Sequence, residues 1–377
     1  MVLKNIKIKD YRNYENLNLN FSPNINIIYG NNAQGKTNLL ESIYVLAFTR
    51  SHRIFSDDNL IMNNKKKCLL TGLIDDNGIE NYLKIELDEN KKNIYIDNES
   101  VKKVSDYISK MNVIIFFPED LYIIKGTPKE RRKFLDNEIT QFVNGYYELL
   151  TDYNKILKIR NDFLKKIHNN EKINEQYFNI ITDYLIQKGS LIIKIRFKFL
   201  NQINKYIGKV YYNIMRLKNF NIKYDNCLNI SSIEENIEEI FKNKLYQNYE
   251  NDIKNGSTSV GPHRDDFFCC INENNIKEFG SQGQQRIAII SFKLAELLLF
   301  QKNKNINPIL LLDDVFSELD DRKKNNLLKY IDDNIQVIIT TTDLNKIDKN
   351  LLKKSRKIKI SNGKVILVRE EKQNGRK

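Results

Sequence analysis

Apolar and polar residues are arranged differently at the ends and in the middle of this chain. Residues 2–30 and 67–101 carry short apolar runs and apolar–polar alternation, which is typical of β-strands, and a polar turn at 89–92 predicts a hairpin. Short runs typical of buried strands occur at 25–29, 113–117, 309–312 and 336–342. Both ends of the chain are therefore predicted to form a mixed sheet with helices.

The middle of the chain has the pattern of long helices. None of the five prolines lies between residues 129 and 261, so this stretch avoids the ~3 kcal/mol that a proline inside a helix costs. We predict a helical arm at 129–254, inserted into one head domain that is formed by 1–128 and 255–377. An apolar stripe with helical spacing lies within this arm, at Ile192, Ile195, Phe199, Ile203, Tyr206, Val210 and Ile214. We interpret it as a face that packs within the arm, with a site for a partner protein as the alternative.

A phosphate-binding loop is predicted between the strand at 25–29 and a helix at 38–47. In this position Lys36 is expected to reach the β- and γ-phosphates of ATP, and the Thr37 hydroxyl is expected to bind Mg²⁺. Backbone N–H groups and the start of the helix would form the anion cradle. The pattern G-x-x-x-x-G-K-[ST] is matched by Gly30, Asn31, Asn32, Ala33, Gln34, Gly35, Lys36 and Thr37.

Two patterns in the C-terminal half predict the rest of a nucleotide site. The apolar run at 309–312 ends in two acids, of which Asp313 is the candidate Mg²⁺ carboxylate and Asp314 the candidate for polarising the attacking water. A polar loop at 317–320 follows. A second anion site, with a plain helix cap as the alternative, is predicted before an apolar helix at 287–297, from Ser281, Gln282, Gly283 and Gln284.

The net charge of +13 is unevenly distributed along the chain. Residues 125–225 contain 20 Lys and Arg against 10 Asp and Glu, and residues 351–377 contain 10 against 2. Segregated positive charge favours a surface for nucleic acid, with an anionic membrane surface and general solubility as the alternatives. The basic end at 353–377 is the least secure part of this surface, because basic termini are often disordered.

The sequence has no pattern of a secreted or membrane-spanning protein. Its N-terminus lacks the features of a signal peptide, and no apolar stretch approaches ~18 residues. Cys68, Cys227, Cys269 and Cys270 show no C-x-x-C spacing, and we interpret them as reduced thiols and not as a zinc site. We expect a cytoplasmic protein with no membrane partner.

In combination the motifs resemble those of an ABC-type ATPase head, and the helical insertion is similar to the arm-bearing heads of the SMC and Rad50 class. Within that class the chain resembles the RecF family of bacterial recombination mediators. The stretches that carry this resemblance are 11–14, 30–38, 118–121, 125–128, 131–136, 260–266, 280–286 and 311–320.

The resemblance implies an α/β fold, namely an ABC-type P-loop ATPase head with a mixed sheet, helices and an inserted α-helical arm. It implies ATP and Mg²⁺ as cofactors, an ATP-dependent homodimer on gapped or junction DNA, and weak DNA-stimulated ATP hydrolysis. It also implies help in RecA loading at gaps together with RecO and RecR, and a part in the SOS response. Separately, a basic surface that binds phosphates without reading bases predicts little sequence specificity for the DNA.

The family's architecture further implies roles for individual residues. The loop 281–284 would bind the γ-phosphate of ATP on the opposite subunit, while Lys36 and Asp314 would serve catalysis. The chain departs from the general ABC pattern at three places. Gln282 replaces a glycine, Asp314 is shorter than the usual Glu, and residues 340–342 are threonines where a His is usual. We therefore expect slow ATP hydrolysis. The protein would then act as a clamp on DNA whose opening and closing follow the bound nucleotide, and not as a motor.

Three other functions are alternatives at this stage. The chain could be an SMC- or Rad50-type head that acts on chromosomes or breaks, a transporter-energising ATPase, or a small-molecule phosphotransferase. The basic helical insertion disfavours the transporter function. The loops at 281–284 and 317–320 would have no role in a phosphotransferase.

Overall fold

The computed structural model describes residues 1–53, 57–89, 91–317, 319–331 and 334–369. In chain order its strands are β1 (Val2–Tyr11), β2 (Tyr14–Asn20), β3 (Ile25–Tyr29), β4 (Lys67–Asp76), β5 (Ile79–Asp88), β6 (Lys92–Ile96), β7 (Glu99–Ser100), β8 (Val113–Phe116), β9 (Phe220–Asp225), β10 (Asp266–Ile271), β11 (Asn274–Asn275), β12 (Ile309–Asp313), β13 (Val337–Thr341), β14 (Ser355–Ser361) and β15 (Lys364–Arg369). Its α-helices are α1 (Lys36–Phe48), α2 (Val104–Ile108), α3 (Tyr122–Lys125), α4 (Pro128–Phe142), α5 (Tyr146–His168), α6 (Glu175–Met215), α7 (Ile237–Gln247), α8 (Tyr249–Asn255), α9 (Ile276–Phe279), α10 (Gln282–Leu299), α11 (Asp321–Leu328) and α12 (Lys349–Lys353).

The chain forms two compact units. One consists of Met1–Asp120 and Glu296–Lys377, and the other of Leu121–Ala295. These boundaries differ from the predicted ones after 128 and 254, because α4 packs against α5 and α6, and β10 of the segment 255–295 pairs with β9. The division into a head and an inserted arm stays a prediction.

A six-stranded mixed sheet forms the centre of the first unit. Its strand order is β15-β14-β3-β13-β12-β8, and all neighbours are parallel except the edge pair of β14 and β15. The strands β8, β12 and β13 are buried along their whole length, as is usual for parallel strands covered on both faces. The strands predicted at 25–29, 113–117, 309–312 and 336–342 are confirmed by β3, β8, β12 and β13.

The second sheet of this unit is antiparallel throughout, in the order β2-β1-β4-β5-β6-β7. On β5 the alternate residues Leu83, Ile85 and Leu87 are buried in a core that includes residues of α1. The predicted hairpin is confirmed, since β5 ends at Asp88 and its antiparallel neighbour β6 begins at Lys92.

Long helices dominate the second unit. On the 41-residue helix α6, Ile192, Phe199 and Ile203 of the predicted stripe are buried, whereas Ile195 and Tyr206 are only partly buried. Neither α6 nor any other helix in the described ranges has both the length and the apolar character needed to cross a membrane.

A small antiparallel sheet, in the order β11-β10-β9, also belongs to the second unit. The prediction of a helical segment at 129–254 did not include β9. Its pattern was visible in the sequence, because Phe220 and Ile222 are buried and alternate with the more exposed Asn221 and Lys223, with the period of two that marks a strand.

The basic C-terminal segment contributes the strands β14 and β15 to the central sheet. β14 pairs in parallel with β3 and antiparallel with β15. Ile358 and Ile360 are buried, while Lys359 between them is exposed to solvent. Disorder was an alternative for the basic terminus, but residues 355–369 form two strands and the turn between them. Residues 370–377 lie outside the described ranges.

Candidate nucleotide site

The predicted phosphate-binding loop connects β3 to α1. Its glycines fit their surroundings: a Cβ on Gly30 would lie 2.3 Å from the carbonyl oxygen of Ile360, and Gly35 has a φ of 108°, which side chains rarely adopt. Helix α1 begins at Lys36, directly after the loop, so the positive end of the helix dipole lies at the loop. The predicted strand, loop and helix are all present.

Lys36 is held inside the loop by main-chain oxygens. Its Nζ donates to the carbonyl oxygens of Gly30 and Asn31, at 2.9 and 2.8 Å. Burial lowers the pKa of Lys36, while the carboxylates of Asp314 and Asp313 act in the opposite direction. The ammonium group of Lys36 is therefore held inside the loop by two carbonyl oxygens.

Thr37 and Asp313 meet across the end of the sheet. The Thr37 hydroxyl lies 2.9 and 3.1 Å from the two carboxylate oxygens of Asp313, the last residue of the buried strand β12. A hydroxyl and a carboxylate are hard oxygen donors of the kind that Mg²⁺ prefers. The structure thus brings together the two residues that the sequence predicted for a metal.

Thr340 links the two acids and was not predicted as a site residue. It lies opposite Asp313 in the pairing of β12 with β13, and its hydroxyl donates to the Asp313 carboxylate at 2.5 Å. The same oxygen accepts from the backbone N–H of Asp314 at 3.0 Å. Asp314 has a φ of 51°, a left-handed conformation in which Asp is tolerated better than most residues.

The turn between β1 and β2 contacts the phosphate-binding loop. Asn13 donates from Nδ2 to the carbonyl oxygen of Gln34 at 3.3 Å, and its Oδ1 accepts from Asn38 at 2.9 Å. The Tyr14 hydroxyl is buried and donates to the carbonyl oxygen of Gly35 at 2.9 Å. In the sequence, the motif at 11–14 indicated membership of a family but no role at the site. In the structure, the side chains of Asn13 and Tyr14 bond to the loop directly.

An ion pair between the partly exposed Arg12 and the buried Glu41 fixes α1 behind the loop. Arg12 donates from Nε and Nη2 to the carboxylate of Glu41, at 2.9 Å in both bonds, and Glu41 has no solvent exposure. The Ser51 hydroxyl donates to the same carboxylate at 2.6 Å. The helix that presents Lys36 is therefore tied to two separate loops.

The predicted second anion site lies in the other unit, at the start of α10. Ser281 and Gln284 form reciprocal hydrogen bonds: the Ser281 N–H donates to Gln284 Oε1 at 2.7 Å, and the Gln284 N–H donates to Ser281 Oγ at 3.3 Å. This is a capping box. Ser281, Gln282 and Gly283 are exposed, so a helix cap and an accessible loop coexist here.

The predicted polar loop at 317–320 is described only in part. Glu318 lies outside the described residues. Asp320 caps α11, because its Oδ1 accepts from the backbone N–H of Lys323 at 2.9 Å. This end of the loop is therefore fixed by a helix start.

An arginine at the centre of the second unit joins two sequence motifs. Arg196 contacts both carboxylate oxygens of Asp136, at 3.0 and 2.9 Å, and donates to the carbonyl oxygen of Pro262 at 2.6 Å. Burial acts to lower the pKa of Arg196, but the surrounding carboxylates, Asp136 first, raise it well above its usual range. The motifs at 131–136 and 260–266 therefore form a structural core.

Buried arginines reduce the positive charge that a ligand can reach. Arg196, Arg131 and Arg160 are all buried, and the latter two pair with Asp266 at 2.6 Å and with Asp252 at 3.1 Å. These arginines belong to the basic segment 125–225, whose sequence predicted a binding surface. The accessible charge of that segment rests mainly on lysines.

Sheet, loop and acid-ended strand define a class of protein. A glycine-bounded loop between a parallel strand and a helix, with a carboxylate at the end of the buried strand β12, is the arrangement of an SMC-type P-loop ATPase head. The family model described as the RecF/RecN/SMC N-terminal domain matches residues 2–366. A solved Smc head bound to the C-winged helix domain of ScpA has the same fold, with a TM-score of 0.54 at 14% identity over 98% of each chain.

The chain belongs to the RecF family. It is 39% identical over 371 residues to the DNA replication and repair protein RecF of Oenococcus oeni. The aligned region covers 97% of this chain and 100% of that protein. A solved structure of the recombination mediator protein RecF with ATP, in the RecFOR pathway, matches with a TM-score of 0.90 at 34% identity and covers 98% of each chain.

Proposed function

We propose that this chain is an ATP-dependent DNA-binding protein of recombinational repair and replication. The observation that carries the proposal is the pairing of the Thr37 hydroxyl with the Asp313 carboxylate, next to a Lys36 held in the phosphate-binding loop. Support also comes from relatives named DNA replication and repair protein and from a related structure with ATP.

In this proposal residues 30–37 hold the triphosphate of ATP. Lys36 exchanges its two carbonyl partners for oxygens of the β- and γ-phosphates, and backbone N–H groups at the start of α1 donate to the same anion. Thr37 and Asp313 would hold Mg²⁺, which would supply neutralisation of the phosphate charge. The pair of oxygen donors already lies within hydrogen-bond distance, so little rearrangement is needed.

Slow hydrolysis follows from the acid next in the chain. Asp314 orients the attacking water, and its side chain is one methylene shorter than the usual Glu, so the base is held further from its target. Residues 281–284 of a second subunit would cover the open side of the γ-phosphate, which makes ATP the link between two copies. The protein would then act as a clamp that is timed by nucleotide.

DNA binding is supported by a stripe of lysines on α6, which we call the α6 lysine stripe. Lys194, Lys198, Lys205 and Lys209 are all exposed, and their spacing of four, seven and four residues places them on one helix face. None of the four forms an ion pair within the described ranges, and no Asp or Glu occurs from residue 184 to 224. A row of unpaired ammonium groups ~22 Å long suits a phosphate backbone and reads no bases.

We extend the proposal to RecA loading at gaps together with RecO and RecR, to the SOS response, and to action in the cytoplasm. The support is membership of the RecF family and a relative described in the RecFOR pathway.

The proposed function is tested by measuring ATP hydrolysis with and without gapped DNA. Stimulation of turnover by DNA is the expected result. Hydrolysis that DNA does not change would point to a transporter-energising head, and transfer of phosphate to a small molecule would point to a phosphotransferase. Asp314→Asn serves as the control for contaminating ATPases.

The α6 lysine stripe is tested by the salt dependence of DNA binding. The logarithm of the binding constant should fall linearly with the logarithm of salt concentration, at ~0.9 per phosphate contact, and replacing the four lysines by Gln should reduce the slope by up to ~3.6. An unchanged slope would remove α6 from the DNA surface. The matched control replaces four exposed lysines of the first unit by Gln, namely Lys7, Lys102, Lys103 and Lys110.

A further inference from the structure

We propose that the turn between β14 and β15 positions the phosphate-binding loop and so tunes nucleotide affinity from the C-terminal end of the chain. We define the turn as residues 361–363, from Ser361, the last residue of β14, to Gly363, and it lies far outside the phosphate-binding motif in sequence. The inference rests on the proposed binding of nucleotide at that loop. It assigns a role to Gln34, a position that the G-x-x-x-x-G-K-[ST] pattern leaves open.

Three consecutive residues of the turn hold Gln34 by both its side chain and its main chain. The Oε1 atom of Gln34 accepts from the backbone N–H of Asn362 at 2.7 Å and from the Ser361 hydroxyl at 3.2 Å. The carbonyl oxygen of Gln34 accepts from the backbone N–H of Gly363 at 3.0 Å. The fourth variable residue of the motif is therefore fixed by the C-terminal hairpin.

Close packing of the backbone strengthens this link. A Cβ on Gly363 would lie 2.3 Å from the carbonyl oxygen of Asn13, and Gly363 has a φ of 68°, so its place in the turn favours glycine. Asn13 in turn donates to the carbonyl oxygen of Gln34. At the start of the loop, Gly30 approaches the carbonyl oxygen of Ile360 too closely for any side chain. The loop is thus enclosed by the β1–β2 turn and by the hairpin.

A preordered loop binds an anion more tightly. The loop can offer several N–H groups to one phosphate only in a defined conformation, and a loop that is already ordered loses less conformational entropy when it binds. Residues 361–363 act here as positioning residues, since they act through Gln34. Their loss should weaken binding of the whole nucleotide equally in the ground state and the transition state, which raises KM and leaves kcat unchanged.

The test compares nucleotide affinity in variants of the turn, in the full-length chain with Mg²⁺ and a fluorescent ATP analogue. Ser361→Ala should weaken binding about threefold, since it removes one hydrogen bond, and Gly363→Ala should weaken it tenfold or more, since the added methyl displaces the turn. Ser361→Thr keeps a hydroxyl and should restore affinity. Ile366→Thr, on an exposed position of the same hairpin, is the matched control and should bind as the wild type does.

Thermal unfolding without nucleotide separates positioning from loss of fold. Ser361→Ala should unfold within a few degrees of the wild type and still show weaker binding, a higher KM and wild-type turnover at saturating ATP. Wild-type affinity in both Ser361→Ala and Gly363→Ala would overturn the inference. A wild-type chain that binds no MgATP would overturn the proposed function, which is a distinguishable outcome.

Discussion

The hydroxyl of Thr37 lies 2.9 Å from a carboxylate oxygen of Asp313, although 276 residues separate them in the chain. Thr37 is the second residue of α1, and Asp313 ends β12. Their contact results from the parallel sheet, because the carboxyl ends of its strands lie at one edge and loops after those ends form binding sites. This contact fixes the metal side of the proposed nucleotide site before any ligand arrives.

Thr340 should control the affinity for Mg²⁺. Thr340→Val keeps the size of the side chain but removes the hydroxyl. That hydroxyl donates to the Asp313 carboxylate and accepts from the backbone N–H of Asp314. Partners that orient metal ligands typically change metal affinity by ~10–100-fold, so the Mg²⁺ concentration for half-maximal ATP binding should rise by at least ~10-fold. Thr340→Ser should restore it. An unchanged Mg²⁺ dependence in Thr340→Val would show that this hydroxyl does not position the site.

Asp314→Asn should keep ATP binding and lose turnover. Asn adopts the left-handed backbone conformation of this position as readily as Asp, so the fold should survive. Loss of a general base typically lowers the rate ~10²–10⁴-fold. Single-turnover hydrolysis together with analogue titration separates the two effects. Wild-type turnover in this variant would mean that the base lies elsewhere.

His263 should make the second unit sensitive to acid. Its ring nitrogens contact the Tyr153 hydroxyl at 2.7 Å and the carbonyl oxygen of Thr258 at 3.0 Å. Burial, the largest cause, lowers the pKa of His263 to about 4, with the charge of Arg264 acting the same way. The unfolded chain therefore binds a proton that the folded chain does not between pH ~6.5 and about 4, and stability falls as the pH drops through that range.

The expected loss is about 2 kcal/mol in the free energy of unfolding between pH 7 and pH 5. Urea unfolding of the wild type and His263→Gln at both values measures it, and carboxylates that titrate in both proteins cancel in the comparison. The variant should show a smaller pH dependence. Equal pH dependence in the two proteins would contradict a neutral, buried imidazole.

ATP-dependent dimerisation should depend on Ser281. One phosphate-binding loop leaves the far side of the γ-phosphate open, and the exposed hydroxyl and N–H groups at the start of α10 suit that side in a second subunit. Loss of a charge-assisted contact costs ~1.5–3 kcal/mol at each of two sites, and Arg adds a clash.

Sedimentation with ATP and Mg²⁺ measures the effect. Ser281→Arg should remain a monomer that still binds ATP, because Lys36 is untouched, whereas Asn179→Arg adds the same charge at an exposed position of α6 and should dimerise. A persistent dimer of Ser281→Arg would mean that the interface is built on other residues.

Local patterns predicted the central elements of this fold. β3 and β12 were visible as apolar runs, and the phosphate-binding loop was visible as a motif, because their signals lie in consecutive residues. The support of Gln34 by Asn13 and by the hairpin at 361–363 was not visible, since it depends on pairing between distant strands. No pattern in the residues around Gln34 indicates which distant residues it contacts.

Charge counts were less informative than apolar patterns. Arg131 and Arg196 contribute to the basic character of 125–225, yet both are buried against carboxylates. A charged residue on a helix has the same place in the sequence whether it faces water or a buried acid. The α6 lysine stripe is defined by exposure as well as by spacing and the absence of nearby acids, and exposure depends on the folded structure.

The central claim is that residues 30–37 hold the triphosphate of ATP through Lys36. Titration of the full-length chain with a fluorescent ATP analogue and Mg²⁺ tests it most directly, with Lys36→Ala compared with Lys110→Ala, an exposed lysine of the same unit. We predict that Lys36→Ala loses at least ~10-fold in affinity while it unfolds at the wild-type temperature, because a charge-assisted contact to phosphate is removed. Lys110→Ala should bind as the wild type does. Equal affinity of Lys36→Ala and the wild type would contradict this account of the site.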